Sequence, residues 1–171
     1  MIIKPEPGEY APFYAGYVEK AIAHSDVLQT LTQLKESTYQ FFTALPAEKE
    51  NYAYAAGKWT IKQLLSHMID AERVFAYRIL CFSRQDQNPL PGFDENDYVE
   101  KALLHTRTLA NLAAEFRALR EANLFLFRSV TDKQLLYNGT ASGQTVSVRA
   151  LLYITAGHEL HHLDIIKQRY L

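Results

Sequence analysis

The stretch Thr155-Ala-Gly-His-Glu-Leu-His-His-Leu-Asp-Ile-Ile166 places three histidines within five positions, inside a run whose apolar residues recur at helical spacing. Leu151, Ile154, Thr155, His158, His162 and Ile165 fall along one face of the helix that contains it, with Ser147 as its cap and Lys167 and Arg169 suiting the negative end of its dipole. On a helix, residues i and i+4 lie about 40° apart and one turn up, so His158 and His162 can aim their imidazoles at one point. Leu151 and Ile165 lie within about 20° of His158 on the same wheel, so the histidines interrupt a core stripe. Two buried imidazoles without partners would cost roughly 1–3 kcal/mol each, and something must satisfy them. A bound cation would do so, and so would hydrogen bonds to side chains or water. His161 competes for the same role, because i, i+3 spacing also chelates, but it lies about 60° off His158 toward the other side.

Working outward, three further segments carry the helical period. Leu28, Leu31, Leu34, Phe41 or Phe42 and Leu45 follow a cap at Ser25 or Asp26 and stop at Pro46. Thr60 and Gln63 form a capping box that opens Ile61, Leu64, Leu65, Met68, Ala71, Phe75 and Ile79, a helix running to about residue 84. Thr106 or Thr108 opens a third, through Leu109, Leu112, Phe116, Leu119, Leu126 and Phe127 to Val130. Pro89, Pro91 and Gly92 mark a long crossing loop, and Gly139 and Gly143 suit a small hairpin. Pro5, Pro7 and Pro12, interleaved with aromatics, read as a non-helical arm over residues 1–23 that packs on the body. The expectation is an all-α chain: a four-helix bundle with a long crossover connection, in one domain over 1–171.

Composition limits the function classes. Of 171 residues, 48% are apolar and 22% charged, which fits a globular chain, and a net charge of −1 gives no field for nucleic acid. Cys81 stands alone, so no disulfide forms within the chain, and it reads as a buried thiol. The opening residues lack the basic start and apolar run of a secretory signal, and no window is apolar enough for a bilayer, so a cytoplasmic protein without membrane contact is expected.

His67 lies at the edge of the stripe made by Leu64, Ala71 and Val74, so it can meet the last helix from across the bundle. Three neutral nitrogen donors from two helices form the ligand set of an open Zn²⁺, Ni²⁺ or Fe²⁺ site. Asp70 and Glu159 are candidates to orient the rings; Asp70, Glu159, Tyr54 and Tyr137 are candidate proton acceptors. Arg78, eleven residues beyond His67, reads as a structural ion pair, and His24 and His105 as surface or capping residues. His158-Glu159-Leu160-His161-His162 also satisfies the His-Glu-x-x-His protease pattern, but Ile165 and Gln168 stand where the longer form requires Gly and His.

Three segments resemble the DinB/YfiT-like superfamily of metal-binding four-helix bundles: Gly57-Lys-Trp-Thr-Ile-Lys-Gln-Leu-Leu-Ser-His-Met-Ile-Asp-Ala-Glu72 and onward to Leu80, Pro89-Leu-Pro-Gly-Phe-Asp-Glu-Asn-Asp-Tyr-Val99, and Ser147 to Tyr170. The resemblance implies His67, His158 and His162 as metal ligands, a crossover bundle, and frequent homodimers. It also implies a small-molecule substrate, acted on by a thiol-dependent S-transferase using a low-molecular-weight thiol or by a metal-dependent hydrolase. A non-catalytic metal-binding or metal-sensing bundle is the alternative of another class.

Overall fold

The computed structural model describes residues 1–24 and 26–171, and among these the long helices are the four expected. Residues 1–11, with a tight turn at Pro7 and Gly8, lead into a single turn of 3₁₀ helix at Pro12–Tyr14, which continues as α1, Ala15–Ile22. The arm is therefore helical in its second half. Pro12 opens the turn at a position where its missing N–H is not needed, and no proline follows it there. α2, Val27–Thr43, is capped by Asp26, whose side chain accepts from the amides of Leu28 and Gln29; the alternative cap, Ser25, lies outside the described residues. α3, Ile61–Ser83, begins at the Thr60/Gln63 capping box. The proline-rich loop after α3 holds an unforeseen short helix, α4, Glu95–Lys101, because Asp94 caps it by accepting from Asp97 N–H and two acids follow in its first turn. α5, Leu109–Ser129, starts at Thr108, and a one-turn α6, Asp132–Leu135, follows a second capping box at Thr131/Gln134.

β1, Asn138–Ala141, and β2, Gln144–Ser147, pair antiparallel across Ser142 and Gly143, both at positive φ, as a tight hairpin turn needs. Ser147 then caps α7, Val148–Arg169. α2 packs on α5 and α7, and α3 packs on α5 and α7, so the sequence neighbours α2 and α3 lie diagonally, as do α5 and α7. The chain crosses the bundle at residues 44–60 and 130–147. The crossover is therefore not at Pro89, Pro91 and Gly92 as expected: that proline-rich loop joins the adjacent helices α3 and α5 and lays α4 against α3.

Apolar burial fills the bundle at both ends. One cluster holds Leu31, Phe75, Ile79, Phe82, Phe127, Leu151 and Ile154; the other holds Leu34, Phe42, Leu65, Met68, Leu112, Phe116 and Ile166. Between them lies a polar layer. Arg120, with no solvent exposure, donates from Nε and Nη2 to the two oxygens of Glu72 (both 2.7 Å), from Nη2 to Glu159 (2.7 Å) and from Nη1 to the Leu31 carbonyl (3.1 Å). Thr38 donates to the other oxygen of Glu159 (2.5 Å), and Asn123 to Glu72 (3.1 Å). Burial pushes the Glu159 carboxyl above its ordinary range, against the pull of Arg120 and with the help of Glu72. Replacing Glu159 with Ala leaves Arg120 with half its counter-charge in a dry interior and should cost about 3–5 kcal/mol, read as a lowered urea midpoint.

The arm is pinned to the start of α7. Glu9 accepts from Arg149 Nε (2.8 Å) and Ser147 Oγ (2.6 Å), and Ile2 lends its carbonyl to the Tyr153 hydroxyl (2.8 Å). Partial burial raises the Glu9 pKa, but the bonds from Arg149, Ser147 and the Glu6 amide outweigh it and bring the carboxyl from 4.5 to about 2. A carboxyl depressed on folding stabilises the protein above its unfolded value, and that contribution fades as pH falls from about 4.5 toward 2. Glu9→Gln should therefore lower the urea midpoint at pH 7 and change it little at pH 2.

Candidate metal centre

The polar layer continues into three histidines. His67 comes from the second turn of α3 and His158 and His162 from successive turns of α7, and one nitrogen of each lies within 4.8 Å of the other two. The Nε2 atom of His158 stands 3.0 Å from that of His67 and 3.1 Å from that of His162. All three side chains are buried. Burial drives the His67 pKa down to about 4, and burial with the neighbouring rings drives His162 to about 3 and His158 well below its ordinary value. Each ring is neutral at physiological pH.

Three neutral rings cannot satisfy one another in this arrangement. A ring nitrogen has one in-plane lone pair or one hydrogen, so His158 Nε2 serves at most one of its two neighbours. The third nitrogen then faces its neighbours without a partner. A single cation resolves this: nitrogens about 2.0–2.1 Å from one ion lie roughly 3.0–3.4 Å apart, and the His158–His67 and His158–His162 separations of 3.0 and 3.1 Å fall there. With Nε2 used in that way, the proton sits on Nδ1, and the buried Nδ1 of His162 has no partner in the protein. The donor set thus fits a divalent ion held by three neutral imidazoles.

Aromatic rings enclose the cluster. Tyr17 of α1 stands edge-on to His158 with ring centres 5.4 Å apart, Phe75 approaches the same ring at 5.6 Å, and Trp59 lies 4.8 Å from His67. Tyr17 can come this close because α1 rests directly on Gly157: a Cβ built there would lie 1.8 Å from the Tyr17 carbonyl oxygen. The open side is a cavity of about 260 Å³ reaching His162, walled by Tyr54, Trp59, Ile165 and Tyr170, with Lys58 and Asn96 at its edge. Glu95, next to Asn96 at the start of α4, places its negative charge where both His67 and Tyr17 feel it.

Other residues singled out by spacing lie elsewhere. His161 is half-buried, turns toward Tyr17 (5.2 Å), and stays out of the convergent trio. Glu159 points to Arg120 and not to a histidine, because a step of one residue rotates it about 100° from His158. Asp70 pairs with Arg73 (3.5 Å) on a different face, with burial pushing its carboxyl up. Tyr54 borders the cavity, whereas Tyr137 packs by the hairpin. Arg78 is not an ion pair: it bonds to the Pro91 carbonyl and Ser142 Oγ. His24 and His105 are exposed, and Cys81 is buried. Tyr17, Trp59, Glu95 and Asn96 carried no spacing signal. They reach the site from the arm and two loops; Trp59 alone could have been suspected, from its place directly before a helix cap.

The same fold is found among known proteins. A family model described as the DinB superfamily matches residues 30–166. A curated protein of Oceanobacillus iheyensis named "Putative metal-dependent hydrolase" is 26% identical over 159 residues, 88% of either chain. The solved structure of YfiT from Bacillus subtilis, described as a probable metal-dependent hydrolase with an unusual four-helix bundle topology, superposes with a TM-score of 0.65 at 18% identity, covering 97% of this chain and 90% of that one. The histidine-bearing crossover bundle described above belongs to the DinB superfamily.

Proposed function

We propose that the protein is a metal-dependent enzyme in which His67, His158 and His162 hold one divalent ion and the cavity beside His162 admits a small substrate. The observation that carries this reading is the convergence of three buried, neutral Nε2 atoms that cannot satisfy one another. An ion held by neutral ligands keeps its full double charge, and it would polarise a substrate and lower the pKa of a water or thiol beside it. Hydrolysis is the favoured direction, since the relatives with descriptions are called metal-dependent hydrolases. Thiol transfer would use the same nucleophile-generating site.

The protein's own groups have definable parts in such a reaction. Tyr17, Phe75 and Trp59 exclude water from the back of the histidines and hold the rings in register. Tyr54, Ile165 and Tyr170 give the cavity an apolar wall for the body of the substrate, and Lys58 and Asn96 supply polar contacts at its mouth. Glu95 adds a negative charge on the side of His67 and Tyr17, which favours a bound cation.

Purified protein grown in metal-replete medium should carry about one divalent ion per chain by elemental mass spectrometry, with His162→Ala near zero, His161→Ala near wild type, and helix content by circular dichroism unchanged in both. A panel of chromogenic esters, amides and phosphodiesters, run with and without added thiols, separates hydrolysis from thiol transfer. Stoichiometric metal without metal-dependent turnover on any of them would favour a sensing or structural bundle.

A further inference from the structure

Arg78 is a second buried cation of this fold, and it is provided for differently from Arg120. It lies on α3 eleven residues past His67, about 16 Å along the axis, and is only 2% exposed. Its Nη2 donates to the Pro91 carbonyl (3.1 Å) and to Ser142 Oγ (3.0 Å), both neutral acceptors, and its Nε is buried without a partner. Among the described residues no carboxylate pairs with it, whereas Arg120 at the same depth has two. A guanidinium keeps its charge in proteins, so Arg78 is a buried positive charge with no counter-ion.

A cavity of about 230 Å³ adjoins it. α3 contributes Val74 and Arg73 to the walls, the proline-rich loop Leu90 and Phe93, and α4 Tyr98. No acidic residue is among the described residues lining it. Arg73 is already paired with Glu115 and Asp70, which leaves Arg78 as the uncompensated charge. The walls are built firmly: Leu90 is bonded in strand fashion to the hairpin, accepting from Ser142 N–H (3.1 Å) and donating to the Thr140 carbonyl (2.9 Å). Its volume is below that of pockets for drug-sized ligands and suits one ring or a short branched chain.

We infer that this cavity is a binding site, separate from the histidine cluster, for a small organic monocarboxylate whose apolar body lies on Leu90, Phe93 and Tyr98 and whose carboxylate neutralises the guanidinium of Arg78. The full chain is titrated with sodium benzoate, with benzamide and sodium chloride as neutral and inorganic controls, reading heat of binding and the Arg78 Nε–H resonance. Benzoate should bind saturably and shift that resonance, with benzamide weaker by at least about tenfold, the loss expected when a charge-assisted bond is removed. Val74→Phe, which fills the cavity without touching the bonds of Arg78, and Arg78→Gln should each weaken benzoate by at least about tenfold. His162→Ala should leave it unchanged, which separates this site from any carboxylate bound at the histidines. If Arg78→Gln does not fold, Val74→Phe and the resonance decide. Equal affinity for benzamide, an unmoved Nε–H signal, full affinity in Val74→Phe, or loss of binding in His162→Ala would each overturn the assignment.

Discussion

The guanidinium of Arg120 is the point on which the bundle turns. From α5 it reaches Glu72 on α3, Glu159 on α7 and a backbone carbonyl of α2, so one side chain touches all the other long helices in the middle of the interior. Apolar packing alone tolerates sliding and rotation of helices; a buried, hydrogen-bonded charge does not, because any slip strands an unpaired ion. The rotation of α7 that delivers Glu159 to Arg120 also decides where its neighbours on the helix point. His158 and His162, roughly 60–100° away around the axis, are left facing α3 and His67. The structural polar layer and the candidate metal centre are therefore two sides of one arrangement.

That coupling explains why His-Glu-x-x-His has a different meaning here from that in a protease. The glutamate between the histidines is committed to the interior, bonded by Arg120 and Thr38, and cannot serve a nucleophile on the other side of the helix. The open face of the histidine cluster is completed from outside the four long helices: Tyr17 from the arm, Trp59 from the loop before α3, and Glu95 and Asn96 from α4. The bundle holds the ligands, and the arm and loops shape what can approach them. The same division holds at Arg78, where α3 supplies the charge and the proline-rich loop supplies the walls.

Much of this was legible in the residues. The four long helices, their caps at Thr60, Thr108 and Ser147, and the hairpin around Gly143 follow from local chemistry, in which each signal acts within four or five positions. The histidine pair on α7 and its neighbour on α3 were legible for the same reason, since helical periodicity shows which residues share a face. Periodicity reports the angle around one helix and nothing about which neighbour that angle meets. Asp70, Glu159 and Arg78 could all be placed on a face but not assigned a partner.

The tertiary structure decided those partners. Glu159 went to Arg120 because two acids and one base from three helices meet only once the bundle closes, and Arg78 was left without an acid because the loop packed over it offers a carbonyl and a hydroxyl. The arm showed the same limit: proline density argued against helix, while the contact of α1 with Gly157 on α7 decided for it after Pro12. Local sequence sets which conformations are cheap; long-range contact chooses among them and brings together side chains that are far apart along the chain.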